Sequence, residues 1–298
     1  MFRSIAVGLD GSLQSRAAAE WAAREAELWQ LPLRLVHVWE PVPEPVAEVA
    51  HLTPEKLRRW SEQIPRQVAD GLRSRHRELD VRVESVPGSP MDVLPRVAKE
   101  TELLVLGSRG LSGLGGFLVG SVGMYVIGHT EAPVVLVRAV AGADGEERER
   151  ASSAGAARLP VVLGIDTRHP DDAVIAFAFE EAARRGTAVR AVHAWTLPAH
   201  YAFALPAGPR LGDDLGEQEA AALTKILSPW RETFPDVEVV EESAAGSAAS
   251  RLVEASREAS LVVVGRRIRR APVGVHIGPV THAVLHHCAA PVAVVAHH

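Results

Sequence analysis

The sequence predicts an α/β protein built from two tandem, five-stranded, parallel-sheet domains of doubly wound, Rossmann-like type, and three observations carry that prediction. Short apolar runs alternate with stretches of helical periodicity along the whole chain. The second half repeats the first in register. A polar stretch with no apolar period separates the halves. Strands that alternate with helices call for crossover connections, and right-handed crossovers between parallel strands put helices on both faces of a sheet.

The elements of the first half follow in order. SIAVGL at 4–9 is an apolar strand, and Ser15 to Trp29 sets Ala18, Trp21, Ala22, Leu28 and Trp29 on one helical stripe. LRLVHVW at 33–39 returns to a strand. Pro54 opens an amphipathic, charged helix that runs to about residue 78, and VRVESV at 81–86 alternates as a strand does. Ser89 and Pro90 form a helix-start signal for the short helix MDVLPRVAKE at 91–100. LLVLG at 103–107 is a further buried strand; a glycine-rich loop, a last helix and the strand VVLVR at 134–138 complete the half.

The repeat then supplies the second half. SIAVGLDGS at 4–12 is answered by VVLGIDTRH at 161–169, LRLVHVWEP at 33–41 by VRAVHAWTL at 189–197, LLVLGSRG at 103–110 by LVVVGRRI at 261–268, and APVVLV at 132–137 by APVAVV at 290–295. Asp10 and Asp166, His37 and His193, and Trp39 and Trp195 are each 156 positions apart. Gly88 and Gly246, Gly107 and Gly265, Gly120 and Gly278, and Pro133 and Pro291 are each 158 apart, so one two-residue length change reconciles both offsets. The segment 141–158, AGADGEERERASSAGAAR, reads as an exposed linker. The first domain therefore spans 1–140 and the second 159–298.

Composition narrows the function classes. With 298 residues each domain has enough chain to bury its own core. A net charge of −5 and an aromatic content of 5% give no electrostatic or stacking basis for binding nucleic acid, and none for an anionic membrane. Cys288 is the only cysteine, which rules out an intramolecular disulfide and makes a cytoplasmic location the default. The apolar stretch at the N-terminus is too short for a secretory core or a membrane span and reads as the first strand.

Residues 107–123, GSRGLSGLGGFLVGSVG, hold seven glycines in seventeen positions between a strand and a helix, where α/β proteins bind phosphates. A flexible surface loop also collects Gly and Ser. A Walker A loop needs a lysine after its last glycine, and here Ser121 follows Gly120 directly. A dinucleotide fingerprint needs its glycines after the first strand, and here they follow the fourth. What remains is G-x2-G-x9-G-S: Gly107, Gly110, Gly120 and Ser121. With VGLD at the first strand end and VHV in the second strand, this pattern resembles the universal stress protein family, specifically its tandem type with an ATP-binding first domain. The resemblance covers essentially the whole chain outside the linker.

The resemblance implies an ATP site in the first domain, with Mg²⁺ bridging the phosphates and no dedicated carboxylate to hold it. Gly8, Asp10 and the backbone around Val38 would hold the adenosine end. Gly107 and Gly110 would let the backbone approach ribose and phosphate, with Ser108 and Arg109 adding contacts. Gly120, Ser121 and Val122 would present free helix N–H groups and a hydroxyl to the terminal phosphates. Each residue also has a purely structural reading: Gly107 and Gly110 as turn glycines, and Ser121 and Asp10 as helix caps. In the second domain Asp166, Ala194, Gly265 and Gly278 keep the corresponding places and mark a second candidate site. There Gly110 is replaced by Ile268 and Ser121 by Pro279, and Arg266, Arg267, Arg269 and Arg270 stand where the first loop has glycines. Two readings stay open, a site decayed into a structural partner or one that holds phosphate by charge, and the first is favoured.

His37 and His193, inside apolar strands, read as structural. His282 and His286 stand i, i+4 on the last helix near Cys288, without a third ligand at sensible spacing, and read as a solvated helix face with no metal. Cys288 reads as a small buried hydrophobe. No nucleophile with an adjacent base and no paired carboxylates are evident, so an enzyme is not expected beyond slow ATP hydrolysis. The expectation is a stress-response protein whose ATP occupancy controls conformation or a protein partner, through ordering of the glycine loop. The alternatives are a nucleotide-independent interaction module of the same family and an adenylate-transferring enzyme. The latter is disfavoured because VGLDGS stands where its SGGxDS-like loop would be. The resemblance also implies domains related by a pseudo-twofold, with final strands 134–138 and 292–296 pairing, and a homodimer.

Overall fold

The structure, a computed structural model, describes residues 3–40, 53–108, 120–139, 159–196, 210–268 and 277–298, and these divide into two units, 3–139 and 159–298. The linker predicted at 141–158 lies outside the described residues.

The first unit runs β1 (Ile5–Leu9), α1 (Leu13–Trp29), β2 (Leu33–Trp39), α2 (Pro54–Arg75), β3 (Val81–Pro87), α3 (Pro90–Ala98), β4 (Leu103–Ser108), α4 (Ser121–His129) and β5 (Val134–Arg138). Its strands lie in the order β3-β2-β1-β4-β5, and every neighbouring pair is parallel. The second unit runs β6 (Val161–Gly164), α5 (Asp172–Arg185), β7 (Val189–Trp195), α6 (Arg210–Thr233), β8 (Val239–Ala245), α7 (Ala248–Ala255), β9 (Leu261–Arg267), α8 (Pro279–His287) and β10 (Val292–His297). It repeats the order as β8-β7-β6-β9-β10, again all parallel. The α/β class and the doubly wound parallel sheets are thus as the sequence predicts.

The near-continuous apolar strands are explained by cover on both faces. In the first unit α1 packs with α2, and α3 with α4, giving two helical layers around the sheet. Ile5, Leu33, Leu35, Leu103 and Leu104 are fully enclosed between them. Burial of each such side chain contributes about 1.5–3 kcal/mol before the loss of chain entropy.

Helix α1 departs from the sequence expectation at its start and along its stripe. It begins at Leu13 because the Ser12 hydroxyl accepts from the Ser15 N–H at 3.1 Å. Its buried face is built from Ala18, Trp21, Ala22 and Ala26, while Leu28 is 40% exposed and lies off the face. Helix α2 ends at Arg75, short of residue 78, where His76 leaves helical geometry. The His76 ring lies between Glu20 at 3.3 Å and Glu27 at 2.9 Å, contacts that tie the end of α2 to α1.

The duplication recurs in detail. Arg34 of β2 forks onto Glu84 of β3 at 2.7 and 2.9 Å, and the equivalent Arg190 reaches Glu242 at 3.0 and 2.7 Å. The first helix of each unit ends in a left-handed residue, Gln30 at φ 54° after α1 and Gly186 at φ 61° after α5. Glycine occupies that region without Cβ repulsion and glutamine does not. Gln30→Gly is therefore expected to stabilise the chain by about 1 kcal/mol, read as a raised denaturation midpoint at an unchanged m-value. A lowered midpoint would show that the Gln30 side chain contributes more than its backbone strain costs.

Candidate functional site

In the first unit the strand order reverses direction at β1 and β4. From β1 the chain moves to β2 on one side, and β4 lies on the other. Crossovers that leave such a pair on opposite sides open a crevice at the carboxyl ends of the strands. The residues gathered there are Gly8 and Asp10 from the end of β1, Val38 from β2, Gly107 from β4, and Gly120, Ser121 and Val122 from the start of α4. Seven of the residues singled out in the sequence for the first domain thus line one cleft. Ser108 is buried at the end of β4. Arg109 and Gly110 lie outside the described residues.

Each side of the cleft has its own cause. Helix α4 is preceded by Gly120 at φ −63°, ψ 151°, which has no side chain to offer as a cap. The first helical hydrogen bond is Met124 N–H to Gly120 C=O at 3.1 Å, which leaves the N–H groups of Ser121, Val122 and Gly123 without intrahelical acceptors. Ser121 is the first helical residue and is exposed, so it is not the cap that its composition allowed. This end of α4 carries the partial positive charge of the helix dipole toward the cleft.

Asp10 Oδ1 accepts from the Ser12 N–H at 3.0 Å and from the Ser12 hydroxyl at 2.5 Å. The carboxylate therefore orients Ser12, and Ser12 caps α1. The same turn recurs in the second unit, where Asp166 Oδ1 accepts from the Arg168 N–H at 3.0 Å. A local turn thus explains why both units carry Asp at this place, and Asp10 is at the cleft in addition to that work.

Gly107 is glycine for a reason the sequence did not reveal. A Cβ there would lie 2.6–2.7 Å from Gln14 C and O and from Ser15 N. The collision is with the first turn of α1, not with space open to a ligand. A Cβ on Gly8 would meet Leu106 Cδ2 at 2.7 Å. The other walls include Ser12, Gln14, Ser15, Pro90, Leu94 and Leu106, none of which was singled out as a site residue. Leu94 and Leu106 were legible only as core, and nothing in the pattern told which core residues end at a crevice.

The second unit arranges the corresponding places differently. His193 Nδ1 faces Ile165 C=O at 3.1 Å, as His37 Nδ1 faces Leu9 C=O at 2.8 Å. A carbonyl only accepts, so Nδ1 carries the proton in both; these are structural histidines holding neighbouring strands together. His193 Nε2 additionally lies 3.0 Å from Glu219 Oε2 and 3.2 Å from Thr167 Oγ1. In the first unit Gly11 stands at the position of Thr167, and Ile64 packs over it. A Cβ on Gly265 would meet His297 Nε2 at 2.8 Å and Val174 Cγ2 at 3.2 Å. Thr281 donates to Gly265 C=O at 2.8 Å. Ala194 sits on β7 opposite Ala244, and Gly278 precedes Pro279, the first residue of α8. Arg266 is buried and Arg267 exposed, whereas Arg269 and Arg270 lie outside the described residues. Cys288 is buried with its thiol toward Leu252 C=O.

Comparison with known proteins agrees with this architecture twice over. The model of the universal stress protein family matches residues 1–138 and again residues 158–296. The chain belongs to the universal stress protein family. A universal stress protein of Mycolicibacterium smegmatis is 34% identical over 303 residues, an alignment covering 98% of this chain and 96% of the relative. One from Mycobacterium tuberculosis is 33% identical over 305 residues, covering 97% and 96%. The crystal structure of a universal stress protein from Archaeoglobus fulgidus has the same fold, with a TM-score of 0.68 over 98% of both chains at 15% identity. This is therefore a tandem universal stress protein. No helix among the described residues is long and apolar enough to cross a membrane.

Proposed function

We propose that this universal stress protein binds ATP in its first domain and uses occupancy of that site to control its conformation or a protein partner. The observation that carries the reading is the uncapped N-terminus of α4. Gly120 supplies no side chain, Ser121 is exposed, and both line the cleft that holds Asp10 and the ends of β1 and β4. Three free N–H groups and a hydroxyl at the positive end of a helix suit a phosphate. Asp10, in the same cleft, suits a sugar hydroxyl or an adenine amino group. Mg²⁺ would arrive with the triphosphate: among the described residues no group of three or more His, Cys, Asp or Glu side chains is arranged to hold a metal ion.

The second domain in this reading is a structural partner. Proline at the first position of α8 lacks the N–H that Ser121 offers, and side chains of the unit itself approach Gly265. Steady-state ATP turnover is expected below about 1 s⁻¹, because among the described residues none beside the start of α4 in the cleft is a general base.

A second reading, a nucleotide-independent interaction module, is favoured by the packing accounts of Gly8, Gly107 and Asp10, which need no ligand. Calorimetric titration with ATP–Mg²⁺ separates the two. Wild type is expected to bind, and the Gly120→Ala/Ser121→Ala double variant to bind at least about tenfold more weakly through loss of the hydroxyl and of close backbone approach. Wild type that takes up no ATP at millimolar concentration would establish the second reading.

A further inference from the structure

The second unit departs from the first at one further place. In α8, His282 and His286 stand where the first unit has Met124 and Gly128, in the 158-residue register of the repeat. The helix turns Thr281, Val284 and Leu285 inward, packs against α7, and leaves His282 exposed and His286 half-buried on its outer side. The two imidazole centroids are 4.4 Å apart with planes inclined by 35°.

We propose that His282 and His286 form a two-imidazole site for a divalent transition-metal cation of tetragonal preference, Cu(II) or Ni(II), with water completing its coordination.

Ring spacing and imidazole chemistry together favour this class of ion. Imidazole nitrogens bind such ions at about 2.0–2.1 Å, so two rings held at right angles on one ion have centroids roughly 4.5 Å apart. A tetrahedral angle would spread them to about 5.2 Å. The observed centroid spacing of 4.4 Å is close to the first value. Side chains four residues apart are also the pair that a helix brings face to face.

The chemistry agrees. Imidazole nitrogens are the preferred donors for such ions, and His282 and His286 stand together on the outer side of α8, where an ion from solvent reaches them. Cys288 cannot join, because its thiol is buried toward Leu252. His287 lies 6.4 Å from His286 by ring centroid at 53°, too far to share the same right-angle pair. With two protein ligands the site is an exchangeable one, open to solvent.

Titration of the full chain with Ni(II) tests it. Wild type is expected to take up one ion per chain, and His282→Gln and His286→Gln each to weaken binding by at least about tenfold, one ligand bond having been lost. Glutamine is a good helix former, so far-UV circular dichroism of both variants is expected to match wild type. Cu(II) on wild type is expected to give an axial electron paramagnetic resonance spectrum with two-nitrogen coupling, reduced to one nitrogen in either variant. His298→Gln serves as control and is expected to leave affinity unchanged. Undiminished affinity in His286→Gln, loss of the ion in His298→Gln, or no uptake of either metal by wild type would overturn the assignment. None of these outcomes depends on nucleotide binding.

Discussion

Ser121→Pro is expected to weaken ATP binding by about ten- to a hundredfold, the cost of one or two hydrogen bonds to a charged phosphate, while leaving thermal stability nearly unchanged. The fold itself already contains the substituted form. Gly120 before α4 lies at φ −63°, ψ 151°, and Gly278 before Pro279 of α8 lies at φ −59°, ψ 154°. The residue before a proline must be extended, and Gly120 already is. Proline at the first helical position fits the helix and forgoes only an N–H that has no intrahelical acceptor. Binding and stability therefore separate in this variant. Calorimetry paired with a thermal melt reads both: a large drop in melting temperature would mean that Ser121 has a structural task, and undiminished affinity would remove α4 from the site.

Gly107→Ala is expected to have the opposite signature, a loss of stability of about 3 kcal/mol from overpacking. The added methyl would stand 2.6–2.7 Å from backbone atoms of Gln14 and Ser15, and relief requires lifting the first turn of α1 off β4. The equivalent Gly265→Ala meets the imidazole of His297, a side chain that is able to turn aside, so its cost should be about 1 kcal/mol. Urea denaturation of the two variants ranks them. Equal midpoints would contradict the view that Gly107 is fixed by helix–strand packing.

These two glycines show what a sequence discloses and what it withholds. The spacing of Gly107 from Gly120 located the crevice, because strand, glycine, glycine again and helix start fall in a fixed order that topology brings to one end of the sheet. The spacing did not disclose what each glycine touches. Gly107 answers to Gln14 and Ser15 of α1, distant in the chain, and no local pattern encodes that approach. Asp10 was legible as a strand-end carboxylate, yet its partnership with Ser12 emerged only from geometry. The fold class was legible throughout, since period-two and period-3.6 patterns alternate and then repeat. The exact helix ends were not: Ser12 starts α1 by a cap, and α2 stops before His76, whose ring lies between Glu20 and Glu27 of α1. The cluster of Thr167, His193 and Glu219 joins three separate elements and had no linear signature.

The difference between the two units is the centre of the account. At the start of α4 the first unit offers Gly120 and an exposed Ser121 beside a cleft, whereas at the start of α8 the second unit follows Gly278 with a proline that has no N–H. Native mass spectrometry of the freshly purified chain, saturated with ATP–Mg²⁺ and compared with Ser121→Pro, counts the sites directly. One ATP per wild-type chain, absent from the variant under the same conditions, is the predicted result. Two per chain, or one that survives the substitution, would contradict the assignment of the site to the first domain.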